Sequence, residues 1–296
     1  MKPTRAVIPL AGLASRLYPA TKVIPKALLP VPGQDGSLRP AVDWIVREAL
    51  AGGVDEVVLI VSPRDGELIR RYFDEPPAGI LEGVSGQRIF DAWNVLKPLS
   101  EHLRYVYQLE PGGFGDAVLQ CREVVGDEPF VLLLGDHLYK SSSTVPCVRQ
   151  VLDIGAQFGK GVLGVSRRDE SEIGQLGVVG VRLLPDRSSV FELTDMREKP
   201  SPSLAQATLR ITGSHMSEYF CIFGIYLLPG HFMEYLQTVK EQHQGELDLS
   251  ASLRRWISTD GGLAYEVEGD FLDIGTPRNY GDTIAQMHQA RPDSVG

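Results

Sequence analysis

The sequence predicts an α/β fold with a mixed, mainly parallel sheet flanked by helices, and three observations predict it. Short, wholly apolar runs recur at 6–10, 57–61 and 130–134, the pattern of strands buried on both faces. Helical periodicity fills stretches between them, notably 39–53 and 63–72. From about residue 166 the pattern changes to paired strand runs at 176–181 and 190–193, joined by Pro185-Asp186-Arg187, which marks a smaller β subregion.

Composition sets outer limits. A chain of 296 residues makes one large domain or two modest ones with a substantial core. Its formal net charge of −9 argues against nucleic acid or an anionic membrane as partner, while a local cluster of cations can still hold a nucleotide. Cys121, Cys147 and Cys221 lie far apart without metal-ligand spacing, so reduced, buried thiols and a cytoplasmic location are expected. No apolar leader follows Met1, and no run reaches membrane-spanning length.

In chain order, the run 6–10 predicts the first strand. Ala11-Gly12-Leu13-Ala14-Ser15 follows with almost no bulk, a backbone that a ligand can approach closely. Arg16, Lys22 and Lys26 come next on a path stiffened by Pro19, Pro25 and Pro30. This pattern suits a polyphosphate, and it equally describes an ordinary strand-to-loop turn with solvated cations. It is not a dinucleotide fingerprint, because Gly-x-Gly-x-x-Gly opening a helix is absent, nor a P-loop, because no Gly-Lys-Ser/Thr closes it.

Pro40 and Gly52-Gly53 bracket a helix over 39–53. The run 57–61 is a strand and 63–72 a helix. Residues 74–102, rich in proline and glycine, predict a surface excursion with a short helix near 90–96. The strand 104–108 runs into a glycine-rich turn with Asp116 in the first turn of a helix, an arrangement that needs no ligand. The strand 130–134 ends in Gly135-Asp136-His137, where Asp136 either caps a turn or stands at the ligand edge of the sheet. Beside it, His137 suggests a mixed Asp/His metal site or a structural histidine. Ser141 to Thr144 predicts a polar turn before a helix to about Phe158. The strand 161–165 follows. Glu198-Lys199-Pro200 alone reads as a solvated turn. Residues 201–216 predict a polar, mobile stretch, 221–228 a strand, and 229–238 a helix. Ser250 reads as an N-cap, and Thr276-Pro277 starts the last helix.

Several of these stretches together resemble one family. Ala11-Gly12-Leu13-Ala14-Ser15-Arg16-Leu17-Tyr18-Pro19 and then Pro25-Lys26-Ala27-Leu28-Leu29-Pro30 resemble, in order and spacing, the opening signature of the sugar-1-phosphate nucleotidylyltransferases. Pro19-Ala20-Thr21-Lys22 is similar to the bacterial UTP–glucose-1-phosphate uridylyltransferase branch, with the thymidylyltransferases close by. Leu134-Gly135-Asp136, Glu198-Lys199-Pro200, Gly245 to Ser250 and Phe271 to Pro277 resemble later motifs of that family. The resemblance runs from residue 5 to about 283. Three positions depart from it. Ala14 stands for glycine, Ser15 for threonine with the hydroxyl kept, and Leu176 for an aromatic residue.

The resemblance implies a Rossmann-like fold of the nucleotide-diphospho-sugar transferase type. It implies a single domain over 1–296, with a nucleotide-binding half at about 1–165 and a sugar-binding half at about 166–296. It implies transfer from UTP or dTTP to a sugar-1-phosphate, with glucose-1-phosphate expected, in a homo-oligomer. Arg16, Lys26 and Lys199 become the catalytic cations, with Lys22 beside them. Leu10, Ala11, Gly12, Leu13, Ala14 and Ser15 become the phosphate loop. Gln108 and Gly113 become the contacts to the base, which chemistry supports, since an amide offers both donor and acceptor and a glycine admits a flat ring. Gly177, Glu198, Gly224 and Tyr226 become the sugar site, and Asp136 and Asp273 the ligands of Mg2+. The alternatives are a non-catalytic, nucleotide-sugar-binding regulatory protein of the same fold, and an NAD-dependent oxidoreductase, which the missing dinucleotide fingerprint disfavours.

Overall fold

The computed structural model describes residues 1–33, 35–77, 83–185, 187–211, 218–242 and 245–289. Strand β1 (Arg5–Pro9) leads into three short 3-10 turns and a small antiparallel ribbon of β2 (Pro30–Pro32) and β3 (Leu38–Pro40). Pairing of Leu38–Pro40 as a strand delays the next helix, so α1 (Ala41–Gly52) starts after Pro40 rather than at 39. A left-handed Gly53 ends it. After β4 (Glu56–Val61), Ser62 caps α2 (Pro63–Asp74) by accepting from the Asp65 N–H.

The excursion at 74–102 holds α3 (Gly83–Ser100), far longer than the short helix expected near 90–96. Most of its side chains from 87 to 98 are exposed, so it lacks the apolar stripe by which a sequence announces a helix. Gly79 of that excursion lies outside the described residues. The chain continues through β5 (Leu103–Tyr107), α4 (Phe114–Leu119), α5 (Arg122–Val125) and β6 (Phe130–Leu133). Next come β7 (His137–Ser141), unforeseen beside the expected polar turn, α6 (Cys147–Phe158) and β8 (Val162–Asp169).

Beyond β8 come β9 (Gly177–Leu183), β10 (Val190–Glu198), α7 (Pro202–Thr208) and β11 (Glu218–Leu228). The stretch from 201, expected to be polar and mobile, opens as a helix because Ser201 caps it and Ala205 and Leu209 bury against Val178, Tyr219 and Cys221. Residues 212–217 of that stretch, and Asp186 of the predicted turn, lie outside the described residues. Helix α8 (Phe232–Gln242) starts three residues later than expected. For α9 (Leu249–Thr259) the cap is Asp248, not Ser250, whose own N–H and hydroxyl donate to the Asp248 carboxylate. β12 (Leu263–Glu266), β13 (Gly269–Asp273) and α10 (Pro277–Gln289) complete the fold.

The main sheet has the order β5-β4-β1-β6-β11-β8-β12-β10-β9. From β5 to β6 every pairing is parallel, and only β11 and β10 run against the rest. Alternate residues of each strand feed opposite cores. Ile8, Leu59 and Val131 pack under α1, α2 and α6. Val7, Val58 and Leu132 pack under α4, α8 and α9. The chain leaves β1 toward β4 on one side and reaches β6 on the other. The crevice between the C-terminal ends of β1 and β6 is therefore a topological switch point, where open α/β sheets bind ligands.

Candidate active site

The loop from Leu10 to Arg16 leaves β1 at that crevice. Leu10 is buried and donates its N–H to Ile60, continuing the sheet by one bond. Ala11 and Ala14 are half-buried, and Gly12, Leu13, Ser15 and Arg16 are exposed. Ala14 sits in the left-handed region, φ 50° and ψ 41°, a conformation that glycine adopts without strain. Its carbonyl accepts from the Thr21 hydroxyl at 3.0 Å, which ties the loop to the segment carrying Lys22. Lys22 itself is exposed and pairs with no acid among the described residues.

Lys26 reaches across to the end of β6, where its Nζ lies 2.8 Å from Asp136 Oδ2. Burial pushes the Asp136 carboxyl up, but Lys26, with His137 and Arg16 beside it, outweighs this and holds it at about 2. Asp273 arrives by a separate route. β13 pairs antiparallel with β7, placing Asp273 opposite His137. The Asp273 carboxylate accepts from the Gly275 N–H and the Asn279 amide, which aim it. A methyl group on Gly275 would meet Asp273 Oδ1 at 2.8 Å, Asp136 Oδ2 at 3.3 Å and Arg16 Nη2 at 3.4 Å, so these three groups converge on one point. Ligand atoms of Asp136, His137 and Asp273 all lie within 4.8 Å of one another. His137 stacks on Phe271, and its Nδ1 lies 3.3 Å from the Phe223 carbonyl.

The expected sugar residues lie along the neighbouring strands. Gly224 has φ 99°, and a methyl there would stand 2.7 Å from His137 Nδ1. Tyr226 is buried, and burial together with the charges of Glu198, Asp136 and Asp248 holds its phenol protonated. No described group accepts its hydroxyl hydrogen. Glu198 ends β10 rather than occupying a free turn, and a methyl on Gly177 would meet its Oε2 at 3.1 Å. Lys199 adopts φ 44°, donates its N–H to Leu176 at 3.1 Å, and places Nζ 3.7 Å from Glu198.

Gln108 stands just past β5 on the same sheet edge and is 7% exposed. Gly113 has φ 96°, and its turn is clasped by the chain before α9, with Gly115 N–H donating to Leu247 and Leu247 N–H to Gly112. Gln108 in turn donates to the Gly113 carbonyl at 3.2 Å, which joins the strand end to that turn. Of the residues expected at the site, the structure brings Arg16, Lys26, Asp136 and Asp273 together. Lys22 stands apart. Asn279 and Lys240 escaped sequence reasoning, since neither belongs to a motif and each bonds a carboxylate that no local pattern pairs with it.

The class that this fold and site define is a nucleotidyltransferase. The family model described as nucleotidyl transferase matches residues 5–290, and the chain belongs to that family. A UTP–glucose-1-phosphate uridylyltransferase of Staphylococcus saprophyticus is 31% identical over 274 residues, covering 92% of this chain and 87% of its own. One from Staphylococcus epidermidis is 29% identical over 291 residues, covering 98% and 93%. A crystal structure of UDP-glucose pyrophosphorylase with UDP-glucose matches the fold with a TM-score of 0.79 at 23% identity, covering 98% of this chain and 100% of that one. UTP-bound UGPase from Acinetobacter baumannii matches with a TM-score of 0.78 at 25% identity, covering 99% and 95%. No helix among the described residues is long and apolar enough to cross a membrane.

Proposed function

We propose that the chain transfers the uridylyl group of UTP to glucose-1-phosphate, giving UDP-glucose and pyrophosphate. The observation that carries this is the convergence of Arg16, Asp136 and Asp273 on Gly275, with Lys26 bonded to Asp136, at the switch point of the sheet. The names of the relatives support UTP over dTTP.

An oxygen of the sugar phosphate attacks the α-phosphorus in line, the bond to the β-phosphate oxygen breaks, and pyrophosphate leaves with its electron pair. Both reactants are anions, so the protein's task is to hold them together and offset charge. Arg16 and Lys26 neutralise the triphosphate along the Leu10–Ser15 loop. Lys199 holds the sugar phosphate, Glu198 accepts from sugar hydroxyls, and Gly177, Gly224 and Tyr226 line the ring. Gln108 and Gly113 meet the base.

The donor set of Asp136 and Asp273, two carboxylates with ligand atoms within 4.8 Å of each other and Asp136 ionised at neutral pH, fits Mg2+. When bound, the ion supplies positive charge to phosphate oxygens. Ala14 adopts the backbone shape that a glycine would give, which supports the catalytic reading over a non-catalytic protein of the same fold.

The test is pyrophosphate release with Mg2+ and glucose-1-phosphate across UTP, dTTP, CTP, ATP and GTP. Release with UTP is expected. Silence with all five, extended to other sugar phosphates, would overturn the proposal.

A further inference from the structure

Asp116 is 6% exposed, yet neither of its oxygens accepts from a backbone N–H of α4 among the described residues. Its Oδ2 accepts from Gln108 Nε2 at 2.8 Å and from Gln120 Nε2 at 3.3 Å, and its Oδ1 from Lys240 Nζ at 2.7 Å. Burial pushes the Asp116 carboxyl up, but the bonds from Lys240 and Gln108 outweigh it, so the group stays ionised and can only accept. The second hydrogen of the Gln108 amide goes to the Gly113 carbonyl at 3.2 Å, another group that can only accept. Both hydrogens are therefore committed inward, which settles which end of the amide is nitrogen. The carbonyl oxygen of Gln108 is left at the other end, and no described group donates to it. Space is shaped for this arrangement, because a methyl on Gly112 would lie 2.5 Å from Asp116 Cγ.

We propose that Asp116, braced by Lys240, is a positioning residue that holds Gln108 with its carbonyl oxygen toward the base and so selects uracil or thymine against cytosine. The inference rests on reading Gln108 as a base contact. At N3, uracil and thymine carry an N–H that such an oxygen accepts. Cytosine carries a bare acceptor there, which the same oxygen repels. An amide free to rotate could serve either base, so the discrimination resides in the two acceptors, and Asp116, at 2.8 Å against 3.2 Å for the Gly113 carbonyl, is the shorter bond and the one that a substitution can change.

The experiment compares kcat/KM for UTP and CTP in the wild-type chain and in Asp116→Asn and Lys240→Ala. An asparagine can turn its own amide hydrogens toward Gln108, which then rotates and presents its nitrogen to the base. The UTP-to-CTP ratio is expected to fall about tenfold in Asp116→Asn, the scale of one hydrogen bond, with the KM for sugar phosphate unchanged. A purely structural role lowers both nucleotides together, and an unchanged ratio would overturn the proposal. Lys240 is half exposed, so its replacement spares the fold if Asp116→Asn fails to. There the ratio is expected to fall roughly threefold as the brace is lost, and an unchanged ratio overturns the proposal equally. A wild-type chain that turns over nucleotides without preferring UTP or dTTP to CTP defeats the base reading of Gln108. A wild-type chain inert with every nucleotide defeats the proposed function instead.

Discussion

Lys26 and Asp136 stand 110 residues apart in the chain and meet with Nζ and Oδ2 2.8 Å apart. The pair closes the loop after β1 onto the end of β6 and holds the Asp136 carboxyl at about 2, below its usual 3.8. A carboxyl lowered by folding stabilises the protein above its unfolded value, and that contribution fades as pH falls from 3.8 toward about 2. Lys26→Met raises the folded value, so the acid-unfolding midpoint followed by circular dichroism should move to higher pH. Turnover should fall by roughly 100-fold or more, the scale of losing one preorganised charge at a reacting centre. Near wild-type turnover would remove Lys26 from the machinery.

Ala14 bears a side chain in backbone territory that favours glycine. Ala14→Gly should raise stability by up to about 1 kcal/mol, because relief of the left-handed strain exceeds the added freedom of the unfolded chain. Ala14→Val should lose more than about 1 kcal/mol and weaken UTP binding. Urea denaturation and nucleotide titration measure both. A less stable glycine variant would contradict the strain argument.

Gly224 meets two constraints at once, a φ of 99° and a close approach to His137 and Tyr139. Gly224→Ala should lose about 1–3 kcal/mol of stability. Activity measured well below the melting temperature should also fall, since the displaced His137 sits beside the paired aspartates. Unchanged kcat in a destabilised variant would mean that the crowding stops short of the site.

Asp136→Asn and Asp273→Asn should each abolish the quenching of the free Mn2+ signal that binding produces in a titration read by electron paramagnetic resonance. Each should also remove the rise in melting temperature that divalent cations give the wild-type chain. Asn279→Ala, which only loosens the aim of Asp273, should weaken metal binding by about tenfold. Chelation should silence the wild-type enzyme and Mg2+ restore it.

The parallel half was legible because its strands are buried on both faces. Runs such as Val57 to Val61 fit only the interior of a folded chain. The outer half was harder. β10 is buried at its start, shifts register between Leu193 and Asp195, and carries Glu198 at its end, so it resembled a short strand followed by a turn. Helix α3 escaped because most of its surface faces solvent. Asp248 and Ser250 are both good caps two residues apart, and only the structure shows which one reaches the helix. At the site, Arg16, Lys26, Asp136 and Asp273 converge from four motif segments, but the partners that aim them did not announce themselves. Lys240 lies on an amphipathic helix and reads in the sequence like any solvated lysine, and its bond to Asp116 spans 124 positions.

The pairing of β7 with β13 has a consequence for biosynthesis. Domains begin to organise from the N-terminus while the ribosome is still adding residues. A nascent chain displays the loop after β1, Gln108 and Asp136 long before β13 leaves the exit tunnel. Until that strand docks, Asp136 faces Lys26 without Asp273, and the proposed ion has only part of its ligand set. Translation stopped after β7 but short of β13 therefore yields a polypeptide that carries Lys26 and Asp136 and lacks Asp273, so under the proposed metal role such copies are disarmed by their own topology.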